Sequence, residues 1–252
     1  MGIPRFIIKK ESIQAGVAVL SREESHHALS VLRLKRGDAV ELLDGRGRSL
    51  RGVAAETQNG LLSVVVDPNQ KDRSRPVLPA VEITLAAAVI KPDKMELLVQ
   101  KACELGMARF VPILCDRTVV RLSAERWQGK IKRWQKIAEE SCKQCGRAQT
   151  PRMDAAQRFR PFLEAESAAH PLILFPTLAV VGKPLSRALS AVSATRKVLV
   201  FIGPEGDFSP QEAREAVSFG AVPVTLGPLA LRSETAALYL LSCLHYHWGS
   251  HE

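Results

Sequence analysis

Long apolar runs are missing from this sequence of 252 residues. No segment approaches the roughly 18 to 20 consecutive apolar residues that a membrane-spanning helix needs. The first ten residues are mixed in character and lack the apolar stretch of a secretory signal peptide. Both absences argue against a membrane or secreted protein and predict a soluble, cytoplasmic one.

Cysteines are also few, and their odd number of five excludes a simple paired disulfide framework. Cys142 and Cys145 form one C-x-x-C motif within a segment of helical pattern. A structural zinc site needs four ligands, and the sequence offers no second pair to complete one. We therefore interpret these cysteines as incidental helix residues and predict no metal site.

Two common nucleotide-binding motifs are absent as well. The sequence contains neither G-x-G-x-x-G after a predicted strand nor G-x-x-x-x-G-K-[ST]. Residues 90–93, which follow the first strand of the C-terminal half, hold no glycine at all. A Rossmann-type dinucleotide enzyme and a P-loop enzyme both lose their main support.

Acidic residues are outnumbered, with 26 Asp and Glu against 35 Lys and Arg, and the net charge is +9. The excess is concentrated between Arg117 and Arg160, where the sequence contains twelve basic residues and only four acidic ones. A basic surface of this kind suits a polyanion such as nucleic acid. The charge pattern alone fits a solvated helical face equally well.

The hydrophobic content of 46% is enough for a sizeable core, and its pattern changes along the chain. Residues 1–72 predict a small β-barrel, with strands at 6–8, 17–20, 39–43, 50–57 and 61–66. One inserted helix runs from Ser21, as the N-cap, to Leu32. A polar, proline-containing linker is expected at about residues 67–79.

Residues 77–252 alternate between apolar strands and amphipathic helices, which is typical of an α/β domain with a parallel sheet. The predicted strands are 81–90, 110–114, 171–175, 198–202 and 222–226. The predicted helices are 93–105, 123–146, one that begins at Ser209, and one from Ser233 to about Trp248.

Two loops that contain glycine and proline follow the last two predicted strands. The first is Gly203-Pro204-Glu205-Gly206, and the second begins with Gly227-Pro228. Ligands of open α/β sheets bind beyond the carboxyl ends of strands, and glycine there lets a ligand approach the backbone. Taken alone, each loop predicts either a ligand site or an ordinary turn. Arg232 and Glu234, which follow the second loop, fit either catalysis or a simple ion pair.

The order and spacing of short motifs over nearly the whole chain resemble one family. It is the RsmE type of the SPOUT methyltransferases, which methylates N3 of a uridine in 16S ribosomal RNA. The matching positions are Pro4-Arg5-Phe6, then His27 with Val31, Leu32 and Arg33, then Lys91, Lys101-Ala102 and Glu104-Leu105-Gly106, then Trp134, Gln144, Arg147 and Pro151, then Gly203-Pro204-Glu205-Gly206, and finally Leu231-Arg232 with Glu234-Thr235-Ala236.

The resemblance implies an N-terminal PUA-like domain that helps to bind RNA and a C-terminal domain tied in a deep trefoil knot. It implies S-adenosylmethionine as the cofactor, uridine 1498 of 16S ribosomal RNA in the small subunit as the target, and a homodimer. The implied cofactor residues are Phe175, Pro176, Ile202, Gly203, Pro204, Glu205, Gly206, Leu226, Gly227, Leu231, Ser233, Thr235 and Ala236.

The N3 proton of uracil must be lost before the nitrogen becomes a good nucleophile, so a base or an anion-stabilising group is required. We expect Arg232 to stabilise the negative charge, and either Glu205 or Glu234 to accept or orient the proton. The residues predicted to contact RNA are Arg5, His27, Arg33, Arg117, Arg121, Gln144 and Arg147.

Two alternatives stay open at this point. The chain could be a non-catalytic RNA-binding factor of ribosome assembly, or a related methyltransferase with a different ribosomal or transfer RNA target. The sequence also departs from the family at Asp207, where a third glycine is usual, and at Ser233, where threonine is usual. Asp207 adds a carboxylate and a Cβ atom beside the predicted cofactor loop.

Overall fold

The computed structural model describes residues 2–68, 81–120, 122–192 and 197–248. The chain divides into two compact units, one of Met1–Val77 with Glu139–Thr150 and one of Leu78–Ala138 with Pro151–Glu252. The expected linker falls mostly on residues 69–79, which lie outside the described residues. The placement of Glu139–Thr150 in the first unit is a feature that the sequence pattern did not predict.

The first unit is built on a six-stranded sheet in the order β1-β4-β5-β6-β3-β2. Its strands are β1 Arg5–Ile7, β2 Ile13–Gln14, β3 Val17–Val19, β4 Ala39–Leu43, β5 Ser49–Gln58 and β6 Leu61–Val66. The pair β1 and β4 is parallel, and the other pairs are antiparallel. Asn59 and Gly60 join β5 to β6 with φ angles of 52° and 76°, the positive values that a two-residue hairpin turn needs. Side chains of these strands contribute to a separate core, in which Phe6 is fully buried.

The helix predicted from Ser21 to Leu32 is α-helical only in its first half. The Ser21 hydroxyl caps helix α1, Arg22–His26, by accepting from the Glu24 amide at 3.2 Å. The second half, His27–Val31, is a π-helical turn in which the Leu32 amide bonds to the His27 carbonyl at 3.0 Å. The chain then leaves the helix through Arg33 at a φ angle of 55°.

The second unit contains a sheet in which every strand pair is parallel. Its strands are β7 Glu82–Ala88, β8 Arg109–Leu114, β9 Arg152–Met153, β10 Gln157–Arg158, β11 Leu172–Pro176, β12 Lys183–Pro184, β13 Lys197–Ile202 and β14 Val222–Thr225. The strand order is β10-β8-β7-β13-β11-β14-β12, and β9 pairs with β8. The α/β class with a parallel sheet is thus confirmed, while the trefoil knot stays a prediction.

Six helices accompany this sheet, namely α2 Pro92–Glu104, α3 Ala124–Cys145, α4 Phe159–Glu166, α5 Leu185–Ser190, α6 Pro210–Ser218 and α7 Ser233–Trp248. The boundary between the two compact units falls within α3. Helix α6 begins at the predicted Ser209 with a capping box, because Ser209 and Glu212 exchange hydrogen bonds between side chain and backbone at 3.2 and 2.8 Å. None of the helices in the described residues is both long and apolar enough to cross a membrane.

Aromatic rings fill the core beneath the carboxyl ends of the central strands. Phe159, Phe175, Phe201 and Phe208 are all buried, and five pairs of their rings have centroids 4.4 to 6.1 Å apart. Tilted and edge-on pairs at such distances are favourable beyond their burial. This cluster supports the loop that follows β13 from below.

We predict that Asp154 makes the free energy of unfolding of the second unit depend on pH in the acidic range. Burial alone raises the pKa of this carboxyl, but hydrogen bonds from Arg152 and Arg109 together outweigh burial and hold it below its ordinary value of 3.8. A carboxyl with a lowered pKa stabilises the fold above its unfolded pKa, and this contribution is lost as the pH falls. We expect the wild type to lose more stability than Asp154→Asn between about pH 4 and pH 2. Urea unfolding across this range measures the difference, and parallel pH profiles would contradict the assignment.

Candidate functional site

The site lies at the carboxyl ends of three neighbouring parallel strands, β13, β11 and β14. Because parallel strands end at the same edge of a sheet, the loops that follow them converge there. Together they enclose a cavity of about 170 Å³. Its lining includes ten of the predicted cofactor residues, namely Pro176, Ile202, Gly203, Pro204, Glu205, Leu226, Gly227, Leu231, Ser233 and Ala236.

Three other predicted cofactor residues lie beside the cavity and do not line it. Phe175 is fully buried, with its ring 4.4 Å from that of Phe208. Gly206 is exposed, and its carbonyl accepts a hydrogen bond from Arg117 at 2.6 Å. Thr235 is exposed in the first turn of α7.

The loop after β11 supplies a wall of the cavity that sequence reasoning missed. Thr177 and Leu178 line the cavity there, although no glycine motif marks this loop. Leu229 and Ala230 also line the cavity and are exposed, so the cavity opens to solvent beside them. One signal in the sequence could have indicated this wall. The predicted strand 171–175 is apolar, and a loop follows its carboxyl end, as loops follow the strands of the other two walls.

The loop from Gly203 to Gly206 is held by contacts to the start of α7 and to Asp207. The Ser233 hydroxyl donates to the Gly203 carbonyl at 2.7 Å. A Cβ atom at Gly203 would lie 3.1 Å from the Phe208 ring and 3.2 Å from Asp207 Oδ1, which is tighter than ordinary contact. Close packing, rather than its φ angle, therefore favours glycine at this position.

Asp207 occupies the position where the resembled family keeps glycine, and it retains a left-handed backbone at a φ angle of 59°. Its Oδ2 atom accepts from the Leu178 amide at 2.7 Å and from the Thr177 hydroxyl at 2.9 Å. The carboxylate thus ties the loop after β13 to the loop after β11. Aspartate tolerates this backbone region better than most residues, which explains why the substitution fits.

Ser233→Ala should lower the free energy of unfolding by about 1 kcal/mol, because it removes the hydrogen bond to the Gly203 carbonyl. Ser233→Thr, which restores the hydroxyl found in the resembled family, should stay close to the wild type. Urea unfolding of the three proteins measures this difference. Equal stability of the alanine and threonine variants would show that the bond contributes nothing.

The three predicted catalytic residues have different surroundings. Glu205 is exposed and lines the cavity. Arg232 is exposed immediately before α7 and, within the described part of the chain, makes no ion pair. Glu234 is 8% exposed and lies 3.6 Å from the Lys94 ammonium. Glu205 and Arg232 are therefore accessible to a substrate, whereas Glu234 is already paired.

Cys115 lies at the carboxyl end of β8 and is buried. Burial raises the pKa of its thiol well above the ordinary value, and the negative charge of Glu212 adds to the effect. The thiol therefore stays protonated at neutral pH and cannot act as a thiolate nucleophile.

In the first unit, Arg5, His27 and Gln144 line an open groove of about 740 Å³. The Arg5 guanidinium also donates to Glu41 at 2.8 Å and to the carbonyls of Lys143 and Gln144 at 3.1 Å. Those contacts fasten the end of α3 to β1 and β4. Among the other residues predicted to bind RNA in this unit, Arg33 is exposed and Arg147 is only 5% exposed.

In the second unit, the predicted RNA contact Arg117 is exposed, and it hydrogen-bonds the backbone of the loop after β13. Arg121 lies outside the described residues. The C-x-x-C motif pairs a buried Cys142 with an exposed Cys145. Within the ranges that the structure describes, no group of three or more His, Cys, Asp or Glu side chains could hold a metal ion.

Comparison with known families and proteins gives consistent results. The model of a family described as RNA methyltransferase domain matches residues 77–245, and that of an RNA methyltransferase PUA domain matches residues 20–52. A protein of Bacillus subtilis named ribosomal RNA small subunit methyltransferase E is 27% identical over 95% of this chain and 94% of its own. A protein of the same name from Synechocystis is 30% identical over 94% of this chain and 76% of its own.

A solved structure of similar fold supports the same family. A methyltransferase of Legionella pneumophila, solved in complex with the bound cofactor SAM, superimposes with a TM-score of 0.85 at 28% identity, covering 98% of both chains. The match of the RNA methyltransferase model to residues 77–245 covers most of the sequence, and the PUA model accounts for part of the first unit. The chain therefore belongs to the RNA methyltransferase family, in the group of proteins named ribosomal RNA small subunit methyltransferase E.

Proposed function

We propose that this protein methylates N3 of a uridine in 16S ribosomal RNA, with uridine 1498 as the target, and uses S-adenosylmethionine as the methyl donor. The observation that carries the proposal is the cavity at the carboxyl ends of β13, β11 and β14. The relatives named ribosomal RNA small subunit methyltransferase E support the class of RNA. Work on ribosomal RNA would place the enzyme in the cytoplasm.

The residues of the cavity fit this cofactor. Apolar side chains of Ile202, Leu226 and Leu231 offer contacts for an adenine ring, and the bare Cα of Gly203 lets a ligand approach the backbone. When bound, S-adenosylmethionine supplies an activated methyl group on its sulfonium sulfur. The protein then has to hold the uracil nitrogen in line with that methyl group and remove the N3 proton.

Glu205 is the better placed of the two candidate glutamates for that proton. It is exposed and lines the cavity, whereas Glu234 is nearly buried beside Lys94. Glu205 accepts or orients the proton, and Glu234 fixes the start of α7 against α2. Arg232, exposed before the first turn of α7, stabilises the negative charge that develops on the uracil oxygens.

RNA binding in this proposal uses both units. Arg33 and Arg117 are exposed, so they can reach phosphates and stacked bases. Arg5 and Arg147 act differently, because the first is bonded to Glu41 and the second is nearly buried. We assign Arg5 to shaping the groove that contains His27 and Gln144, and Arg147 to the interior of the first unit.

The protein works as a homodimer in this proposal. Helix α7 exposes two large aromatic side chains, Tyr239 at 47% and Tyr246 at 74%, and the loop before it exposes Leu229 at 76%. In this proposal the partner subunit covers these side chains, as partners cover the exposed apolar patches that mark protein–protein interfaces. Light scattering of the purified protein measures the oligomeric state, and a monomer at micromolar concentration would contradict this part.

The function is tested by nucleoside mass spectrometry of 16S ribosomal RNA from a strain that lacks the protein. Loss of N3-methyluridine alone, restored by the wild-type protein, is the expected result. Calorimetry with S-adenosylmethionine tests the cofactor separately. A protein that binds RNA but no S-adenosylmethionine would be a non-catalytic assembly factor. Loss of a different modified nucleoside would show that the enzyme methylates another nucleotide.

A further inference from the structure

The cofactor cavity contains carboxylates and no basic side chain. Among the described residues that line it, Glu205 and Asp207 are acidic, and none is Lys or Arg. The Arg117 side chain lies close by, but it donates to the carbonyls of Gly206 and Phe208, and no ion pair joins it to Asp207. The lining side chains therefore bring negative charge, and no positive charge, to a ligand in the cavity.

Asp207 is the more constrained of the two carboxylates. Both of its cavity-side hydrogen bonds use Oδ2, which accepts from the Leu178 amide and the Thr177 hydroxyl. Its Oδ1 atom makes no hydrogen bond within the described part of the chain, and it lies 3.2 Å from where a Cβ of Gly203 would be. One oxygen is thus fixed in the wall between two loops, and the other lies beside the cofactor loop without a hydrogen-bond donor among the described residues.

The donor and the product of the proposed reaction differ by one charge at the sulfur. S-adenosylmethionine carries a positive sulfonium, and S-adenosylhomocysteine carries a neutral thioether. A fixed carboxylate in the same cavity attracts the first more than the second, and partial exclusion of water strengthens the difference. Apolar contacts and backbone hydrogen bonds hardly distinguish the two, because the rest of the molecule is the same.

We propose that Asp207 is a specificity-determining residue, whose carboxylate in the cofactor cavity favours the cationic methyl donor over the neutral product. The proposal rests on the proposed function, since it takes S-adenosylmethionine as the ligand. It gives a role to the departure from glycine at this position. The bound product is displaced by fresh donor more readily than it would be from an uncharged cavity.

The test measures dissociation constants of S-adenosylmethionine and S-adenosylhomocysteine by calorimetry for the wild type and Asp207→Asn. Asparagine tolerates the same backbone region and keeps an oxygen for the Leu178 amide. We expect the preference for the donor over the product to fall about tenfold in Asp207→Asn, which corresponds to ~1.4 kcal/mol. Asp207→Gly, the residue usual in the family, should show the same fall without a side chain at this position.

Two matched variants separate charge from structure. Thr177→Val removes one hydrogen bond of Asp207 and keeps the charge, so it should change both affinities by the same factor. Glu215→Gln removes a negative charge outside the cavity lining and should leave the preference unchanged. Affinity for S-adenosylhomocysteine reports the integrity of the cavity in every variant.

The outcomes are distinguishable. Equal weakening of both ligands in Asp207→Asn and Asp207→Gly, or no change in either, would overturn the role of Asp207 while leaving the proposed function intact. A wild-type protein that binds neither ligand would remove the proposed function itself. A fall in preference that appears equally in Glu215→Gln would show a general effect of net charge and would also overturn the proposal.

Discussion

Arg232→Ala should slow methyl transfer in a single turnover by about 10²- to 10³-fold, the usual loss when one donor to a developing oxyanion is removed. The guanidinium is exposed beside the cofactor cavity, directly before α7. The free amide groups at the start of that helix add to the same positive potential. Removal of Arg232 leaves the negative charge on the uracil without its strongest partner.

The experiment must separate chemistry from binding. Affinity for S-adenosylmethionine should stay within about twofold of the wild type, because Arg232 does not line the cavity. Arg214→Ala is a matched control, since Arg214 is exposed on α6 and lies outside the cavity lining. A rate near that of the wild type for Arg232→Ala would remove this residue from the catalytic machinery.

Phe208→Ala should destabilise the second unit by about 3–5 kcal/mol, as expected when a fully buried phenylalanine is truncated. The Phe208 ring packs at 4.4 Å from Phe175 and 5.4 Å from Phe159, and it lies under Gly203. The space left behind cannot be filled by Gly203, which has no side chain. The loop after β13 should loosen as well, and affinity for S-adenosylmethionine should fall.

Urea unfolding followed by circular dichroism measures the loss of stability. Phe219→Ala provides a matched control, because Phe219 is only partly buried at the edge of the same cluster. Its loss should be clearly smaller than that of Phe208→Ala. If Phe208→Ala costs less than about 1 kcal/mol, the aromatic cluster is not what supports the loop.

The long elements of the fold could be predicted from the sequence because their patterns are local. Strands such as β13 are mostly continuous apolar runs. The start of α6 is indicated by Ser209 at the N-cap, followed by Pro210 and Glu212. The two-residue strands β9, β10 and β12 have no such pattern, since two residues cannot show a period. Helices α4 and α5 were missed because both are short and neither has a side-chain cap.

The candidate site was only partly predictable, for a different reason. The loops after β13 and β14 carry glycine and proline, so the sequence marked them. The loop after β11 has no proline, and its one glycine, Gly182, lies at its far end. It became part of the site because β11 lies between β13 and β14 in the sheet. Strand order is set by packing over long distances along the chain, so no local pattern could show that Thr177 lies next to Asp207.

The charge pattern showed where basic residues are concentrated in the sequence, but it did not show which of them are available to bind RNA. Lys143 belongs to the basic stretch between Arg117 and Arg160, but its side chain is only 9% exposed. Its ammonium lies 3.0 Å from the Glu24 carboxylate and 2.6 Å from the Glu140 carboxylate. The Arg5 guanidinium is likewise bonded to Glu41 and to the end of α3. Such cations hold the first unit together, and a count of residues cannot separate them from those that face RNA.

The loop after β13 is fixed along its length before any ligand is present. Gly203 is held by Ser233, Gly206 by Arg117, and the Asp207 amide donates to the Pro204 carbonyl at 2.9 Å. A loop fastened in this way has already lost its conformational entropy on folding, so ligand binding does not have to order it again. The Asp207 amide proton should therefore exchange slowly with solvent even in the free protein, unlike the amide protons of a lid that orders only around its ligand.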